Sequence, residues 1–237
     1  MNTVYAFQLP QTIPQHHFER LLLLVSCEKA TRIRRFVNMK DRLRCLFADL
    51  LIRHVIINNL GLYNDQLIFS TNSYGKPFLK DNEGFFFNLS HSGDWVVGVT
   101  DTTPVGIDLE RIKPIDLAIA ERFFSPEETA DLMSKPEHDL FSYFFTLWTL
   151  KESYIKKLGT GLSLPLNAFS ISFRGPHIHI KEHHNHVPQT FFIQYNLAPD
   201  YKMAVCGSVE RFPAEVFLLT EKALYSTFKV DFQSSQG

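Results

Sequence analysis

The spacing of apolar residues along this chain switches from helical to strand-like at Gly61, and does so again at Gly159. That double alternation limits the fold more than any other feature. In KDRLRCLFADLLIRHVIINNLG, Leu43, Leu46, Phe47, Leu50, Leu51, Ile57 and Leu60 recur at helical intervals up to the glycine stop. Shorter helices are predicted over 15–25 and 27–36. Beyond Gly61 come brief apolar runs at 67–70, 76–79, 85–89, 95–100 and 105–110. They are separated by turn residues such as Asn72-Ser73-Tyr74-Gly75 and Ser92-Gly93-Asp94, and they predict a mostly antiparallel sheet. Helix signals return at Ser125-Pro126-Glu127-Glu128, a cap serine with proline next and glutamate three residues on, and over 138–158. Strands follow over 169–173, 177–181, 190–195 and 202–207. The order helices, strands, helices, strands predicts an α+β chain of two halves with a similar plan, joined near 100–114. No internal repeat is visible in the residues themselves. The expected division is 1–103, 104–224 and a flexible tail over 225–237.

Composition narrows the class. With 237 residues, 45% hydrophobic and 21% charged, the chain can bury a core unaided, which excludes global disorder. The longest aliphatic run, from Leu21 to Val25, falls far short of the roughly 20 residues a bilayer span needs. The opening MNTVYAFQLPQ has no basic segment followed by an apolar one, so no secretory signal is expected. Three widely spaced cysteines, Cys27, Cys45 and Cys206, read as reduced thiols in a cytoplasmic protein. A net charge of −1 gives no overall field for a nucleic acid. Between Lys29 and Arg53, however, eight basic residues face only Asp41 and Asp49, enough for a local anionic ligand.

Four segments carry chemistry. In Gly106-Ile107-Asp108-Leu109-Glu110 a strand would send Asp108 and Glu110 to one side and Ile107 and Leu109 to the other. Neighbouring carboxylates repel, and a hard divalent cation such as Mg²⁺ resolves the cost; an acidic solvent-facing strand is the plainer alternative. In Trp148-Thr149-Leu150-Lys151-Glu152-Ser153-Tyr154-Ile155-Lys156, Glu152 and Lys156 lie four apart on one helix face. They read either as a surface pair or as a cation ligand and a phosphate contact. Asn88-Leu89-Ser90-His91-Ser92-Gly93 places Asn88 and Ser90 on one strand face, with His91 and Ser92 at a turn that could cradle phosphate. Tyr74-Gly75-Lys76-Pro77 presents Lys76 from a loop, without the spacing of a phosphate-binding Walker loop. The histidines of 177–186 read as a solvated hairpin rather than a metal site.

Taken together, FNLSHSGDWVVGV, VGIDLERI and LWTLKESYIKKLGTGLSLPL resemble the 4'-phosphopantetheinyl transferases, in particular the larger surfactin-synthetase-activating (Sfp-like) type. The resemblance covers about 29–207, with the motifs in the family's order. It implies two similar α+β subdomains related by a pseudo-twofold axis, with the cofactor cleft between them, in a monomer. The implied reaction moves 4'-phosphopantetheine from coenzyme A to a serine of an acyl or peptidyl carrier protein and releases 3',5'-ADP. A link to nonribosomal peptide and antibiotic synthesis is implied as well. Matched residue by residue, Asp108, Glu110 and Glu152 would ligate Mg²⁺. Lys76, Ser90 and His91 would hold the nucleotide end and its phosphates, and Lys156 the pyrophosphate. Lys29, Arg32 and Arg44 would answer the 3'-phosphate. Glu152 and Lys156 would be catalytic, and Phe78, Arg111 and Lys113 would border the carrier. The rival readings are an Mg²⁺-dependent pyrophosphate or phosphodiester hydrolase using the same acids, and a non-catalytic coenzyme A or nucleotide-binding module.

Overall fold

Two long helices, buried on most of their faces and closed by left-handed glycines, organise the chain. In the computed structural model, which describes residues 2–182 and 187–231, the first half runs β1 (Thr3–Gln8), α1 (Gln15–Leu22), α2 (Cys27–Arg34), α3 (Met39–Leu60), β2 (Phe69–Thr71), β3 (Pro77–Leu79), β4 (Phe86–Ser92) and β5 (Trp95–Asp101). The second runs β6 (Gly106–Arg111), α4 (Ile119–Phe123), α5 (Pro126–Met133), α6 (Leu140–Leu158), β7 (Phe169–Arg174), β8 (His177–Glu182), β9 (Phe191–Tyr195) and β10 (Tyr201–Gly207). β11 (Phe217–Leu219) and α7 (Glu221–Thr227) close the described chain. Asn38 caps α3 by accepting the Lys40 N–H, and Gly61 ends it at φ 66°. Ser125 and Glu128 form the reciprocal cap of α5, and Gly159 ends α6 at φ 71°.

The halves repeat one plan. A strand leads into helices, a short hairpin follows (β2–β3 in one half, β7–β8 in the other), and two more strands complete an antiparallel sheet. The hydrogen-bonded order is β1-β5-β4 in the first half and β6-β10-β9 in the second, so the leading strand always pairs with the last. This is the pseudo-twofold α+β architecture. The duplication is one of topology, which is why no repeat shows in the sequence.

The sheets face each other through Val4, Ala6, Val97 and Val99 on one side and Val105, Ile107, Leu109 and Val205 on the other. α3 covers the outer side of the first sheet, with Leu46, Phe47, Leu50 and Leu51 buried, and α6 covers the second. Gly106 lets β6 run hard against α6: a Cβ there would strike the backbone of Ser153, Lys156 and Lys157. Lys151, fully buried, anchors the far side of α6. Its Nζ donates to both oxygens of Glu128 (2.7 and 2.6 Å) and to the Phe169 carbonyl (2.6 Å). Such a pair survives burial only because every proton and lone pair is matched.

Three features depart from the sequence expectation. β1 is a strand the apolar pattern left unassigned. β11 and α7 return to the first half, where β11 pairs in parallel with β1 and Leu224 enters that half's core. The 217–227 segment therefore packs away from the half it follows in sequence, and α7 runs through Tyr225, where a tail was expected; 232–237 lie outside the described residues. Among the described residues no helix is long and apolar enough to cross a membrane.

Candidate active site

Where the halves meet, β4 and β6 run side by side without backbone pairing. β4 uses side chains instead. Asn88 Oδ1 accepts the Ile107 N–H at 2.9 Å, Ser90 Oγ the Leu109 N–H at 3.3 Å and Ser92 Oγ the Arg111 N–H at 3.1 Å. Alternate residues of one strand thus satisfy alternate amides of the other, as the two-residue period of strands allows. Each serine then donates to the neighbouring acid: Ser90 Oγ to Asp108 Oδ1 at 3.0 Å, Ser92 Oγ to Glu110 Oε2 at 2.8 Å. His91 and Ser92 belong to β4 itself, not to the turn expected from sequence, because β4 stays paired with β5 as far as Ser92–Trp95.

This ladder opens onto a cavity of about 370 Å³ lined by Ser90, His91, Asp108, Glu110, Glu152 and Lys156, with Trp148 at its wall. Trp148 also stacks on Phe144, so it serves core and cleft together. Glu152 and Lys156 do share one face of α6, as their spacing predicts. Lys156 Nζ reaches Asp108 Oδ1 at 2.6 Å and Ser90 Oγ at 3.0 Å. Burial raises the pKa of Glu152, reinforced by the charges of Asp108 and Glu110 and opposed by Lys156. Glu110 is raised in the same way by burial and then Asp108, against its Ser92 hydrogen bond, Lys156 and Lys113. The pKa of His91 is lowered by desolvation and then by Lys156 and Arg44, against its backbone hydrogen bond and Asp41.

Asp108 provides the test for a metal. It is 3% exposed, and its Oδ2 is buried with no hydrogen-bond partner. A carboxylate oxygen left so is costly unless a cation answers it. Among the described residues no three acidic, imidazole or thiol side chains are already closed as a metal cage. The donor set nevertheless fits a hard divalent ion: carboxylate oxygens from β6 and α6 that raise one another's proton affinity and face one cavity.

The remaining sequence-selected residues divide. Lys29 pairs with Asp49 at 3.6 Å. Arg44 donates to the Gly93 carbonyl at 2.9 Å and pairs with Asp41, beside the β4–β5 turn. Arg32 is exposed on α2. None of the three lines the acidic cavity. Lys76, expected on phosphate, turns its ammonium away to three backbone carbonyls, those of Val105, Lys156 and Lys157. The loop that carries it still borders a second cavity of about 290 Å³, which shares Glu152 and Lys156 with the first. Of the histidine hairpin, His177 and His179 lie exposed on β8, and 183–186 are outside the described residues. Sequence reasoning placed Asn88 and Ser92 in a chemistry-bearing segment but missed their part in joining the strands, which depends on amides 19 residues further on.

Known proteins resemble this chain over most of its length. Residues 104–206 match the 4'-phosphopantetheinyl transferase superfamily, and 12–103 match the 4'-phosphopantetheinyl transferase N-terminal family. The chain is 41% identical over 224 residues to the 4'-phosphopantetheinyl transferase ffp of Bacillus subtilis, covering 93% of this chain and 99% of that protein. It is 39% identical over 222 residues to the 4'-phosphopantetheinyl transferase Sfp of Bacillus subtilis strain 168, again covering 93% and 99%. Against the 4'-phosphopantetheinyl transferase psf-1 of Bacillus pumilus it is 44% identical over 202 residues, 85% of this chain and 87% of that one. With both halves matched and near-complete relatives at this identity, the chain belongs to the 4'-phosphopantetheinyl transferase family.

Proposed function

We propose that this enzyme transfers the 4'-phosphopantetheine group of coenzyme A to a serine hydroxyl of an apo acyl or peptidyl carrier protein. The observation that carries the reading is the meeting of Asp108, Glu110, Glu152 and Lys156 in one cavity walled by Ser90 and His91 of the other half. In the reaction, the serine oxygen bonds to the phosphorus that bears pantetheine. The bond from that phosphorus to the bridging oxygen breaks, and 3',5'-ADP leaves with the electron pair. Glu152, whose proton affinity is raised, takes the serine proton. Lys156 is the cation nearest Asp108 and is positioned to meet charge on the pyrophosphate. Asp108, Glu110 and Glu152 would hold Mg²⁺, which when bound draws charge from the phosphoryl oxygens. His91 would offer a ring N–H to the nucleotide phosphates, and Lys29, Arg32 and Arg44 would answer the 3'-phosphate, Lys29 once Asp49 yields and Arg44 once Asp41 does.

The carrier would dock at the mouth of the cavity against exposed Phe78, Arg111 and Lys113. Basic side chains there suit an acidic carrier helix, and peptide-synthetase carriers of antibiotic pathways are the class proposed. One chain supplies both walls of the cleft, which supports a monomer with working halves close to the expected 1–103 and 104–224, the stretch 217–224 of the latter being packed on the first. Three unpaired cysteines support a reducing, cytoplasmic setting. Incubation with coenzyme A, Mg²⁺ and an apo carrier tests the whole reading. The carrier should gain the mass of phosphopantetheine. Free phosphopantetheine with an unmodified carrier would mean a hydrolase instead.

A further inference from the structure

The loop at 72–76 in the first half is shaped to close over the end of α6 in the second. Asn72 Oδ1 accepts the backbone N–H groups of Tyr74 and Lys76, both at 2.9 Å, which folds the loop on itself. Asn72 Nδ2 then donates to the Gly159 carbonyl at 2.9 Å. The Lys76 side chain crosses beside it, and Nζ donates to Lys156 O at 2.5 Å, Val105 O at 3.0 Å and Lys157 O at 3.1 Å. An ammonium has three protons, and carbonyls take all three.

The targets matter. Lys156 and Lys157 belong to the last turn of α6, where carbonyls lack helical partners and carry the negative end of the dipole. Val105 immediately precedes β6. Gly159 makes room: a Cβ there would come within 2.8 Å of Lys76 Cδ and 3.1 Å of Asn72 Nδ2. Lys156 is therefore held at both ends, its carbonyl by Lys76 and its ammonium by Asp108 and Ser90, with Glu152 one turn before it.

We propose that Lys76 is a positioning residue rather than a phosphate ligand, a clasp from the first half that fixes the end of α6 and the start of β6 and so sets Glu152 and Lys156 opposite Asp108. Burial draws the Lys76 amine down to about 8, in keeping with an ammonium enclosed by protein rather than open to a phosphate. The catalytic consequence rests on the transferase reading above; the clasp does not.

Hydrogen exchange of the ligand-free full chain tests the clasp apart from any activity. In Lys76→Met, amides 156–159 should exchange about tenfold faster, the loss expected when charge-assisted hydrogen bonds at a helix end are removed. In the carrier assay kcat should fall about tenfold while the KM for coenzyme A stays within about twofold, the signature of lost positioning. Lys76→Arg should not rescue, because a planar five-donor fork does not fit a slot of three carbonyls, whereas an arginine serves a phosphate well. Should Lys76→Met fail to fold, Asn72→Ala decides, with faster exchange over the same amides. Unchanged exchange, a raised KM with kcat kept, or rescue by arginine overturns the proposal. A wild-type chain without transferase activity would defeat the functional reading and leave the exchange result standing.

Discussion

The leading strands of the two halves, β1 and β6, occupy the same place in the same topology and do opposite work. β1 reads TVYAFQ, with no acid, and its outer edge is sealed by backbone pairing with β11. β6 reads GIDLER, and its outer edge is met only by the side chains of Asn88, Ser90 and Ser92. A backbone-paired edge leaves no room for a ligand. A side-chain-paired edge holds the strands apart and lets the same serines steer Asp108 and Glu110. Duplicated topology thus gives two matching walls, and the acid-lined cavity lies on the wall whose edge stayed open.

Removing the acid that only β6 carries should give the largest effect. Asp108→Ala is expected to lower kcat/KM by about 10³-fold, the scale of losing a main electrostatic element of a site. The fold should persist, because Lys156, with 27% of its side chain exposed, can turn to water once its partner is gone. Carrier mass analysis and circular dichroism would check the two halves of that statement, and near-normal transfer would erase the contrast between β1 and β6. Glu152→Gln keeps shape and hydrogen bonding but not basicity. It should lower kcat by about 10²-fold, within the usual range for a general base, with little change in the KM for coenzyme A. Steady-state kinetics at saturating carrier would show it.

Much of this contrast was legible in the sequence, and what was not has a common cause. The caps of α5 and the glycine ends of α3 and α6 are local, so residues within one turn announce them. Asp108, Glu110, Glu152 and Lys156 could be read because strand and helix periods fix which face each takes. Long-range partners could not. The β1–β11 pairing joins Tyr5 to Phe217, and nothing near either end signals it. Thr220, which caps α7 by accepting the Ala223 N–H, was a usable local sign of a helix running through Tyr225. The contacts of Lys76 could not be foreseen because backbone carbonyls have no residue signature, while lysine in a glycine-proline loop resembles a phosphate ligand.

The open edge itself is sharpened by Ser92→Ala, which removes the acceptor of the Arg111 N–H and the donor to Glu110 together. Arg111 is exposed, so water can take over its amide, and thermal stability should barely move. Glu110, no longer oriented, should bind a divalent ion about tenfold more weakly, the usual scale when a partner of a metal ligand is lost. Calorimetry with Mn²⁺ on the ligand-free protein would read this without any turnover, and Ser92→Thr should recover most of it. Equal metal affinity in Ser92→Ala would mean that the side-chain ladder spaces the strands and nothing more.

The smallest effect concerns the energetic cost of joining the halves through Lys76. Its amine titrates at about 8 in the fold against 10.5 when free, chiefly through burial. Lys156 and Lys157 on α6 meet it through backbone carbonyls rather than through their ammonium groups, which bond to Asp108 and to the Gln189 carbonyl, while Cys206 on β10, pushed well up by burial, stays a neutral thiol. Below pH 8 both folded and unfolded chains hold the Lys76 proton, so stability does not depend on this group's titration. Between about 8 and 10.5 the unfolded chain binds more protons, and stability must rise with pH, by at most about 1.4 kcal/mol per unit. The gain is complete above 10.5 and is lost as pH falls back through 8. Subtracting the unfolding free energy of Lys76→Met at each pH isolates this slope from the tyrosines that titrate nearby. A positive difference slope over that window would mean that the clasp costs stability at neutral pH and is retained for position, as its three carbonyl partners on the site-bearing elements require. A flat difference would place Lys76 in water, and the first half would then meet the site through Asn72 and the β4 ladder.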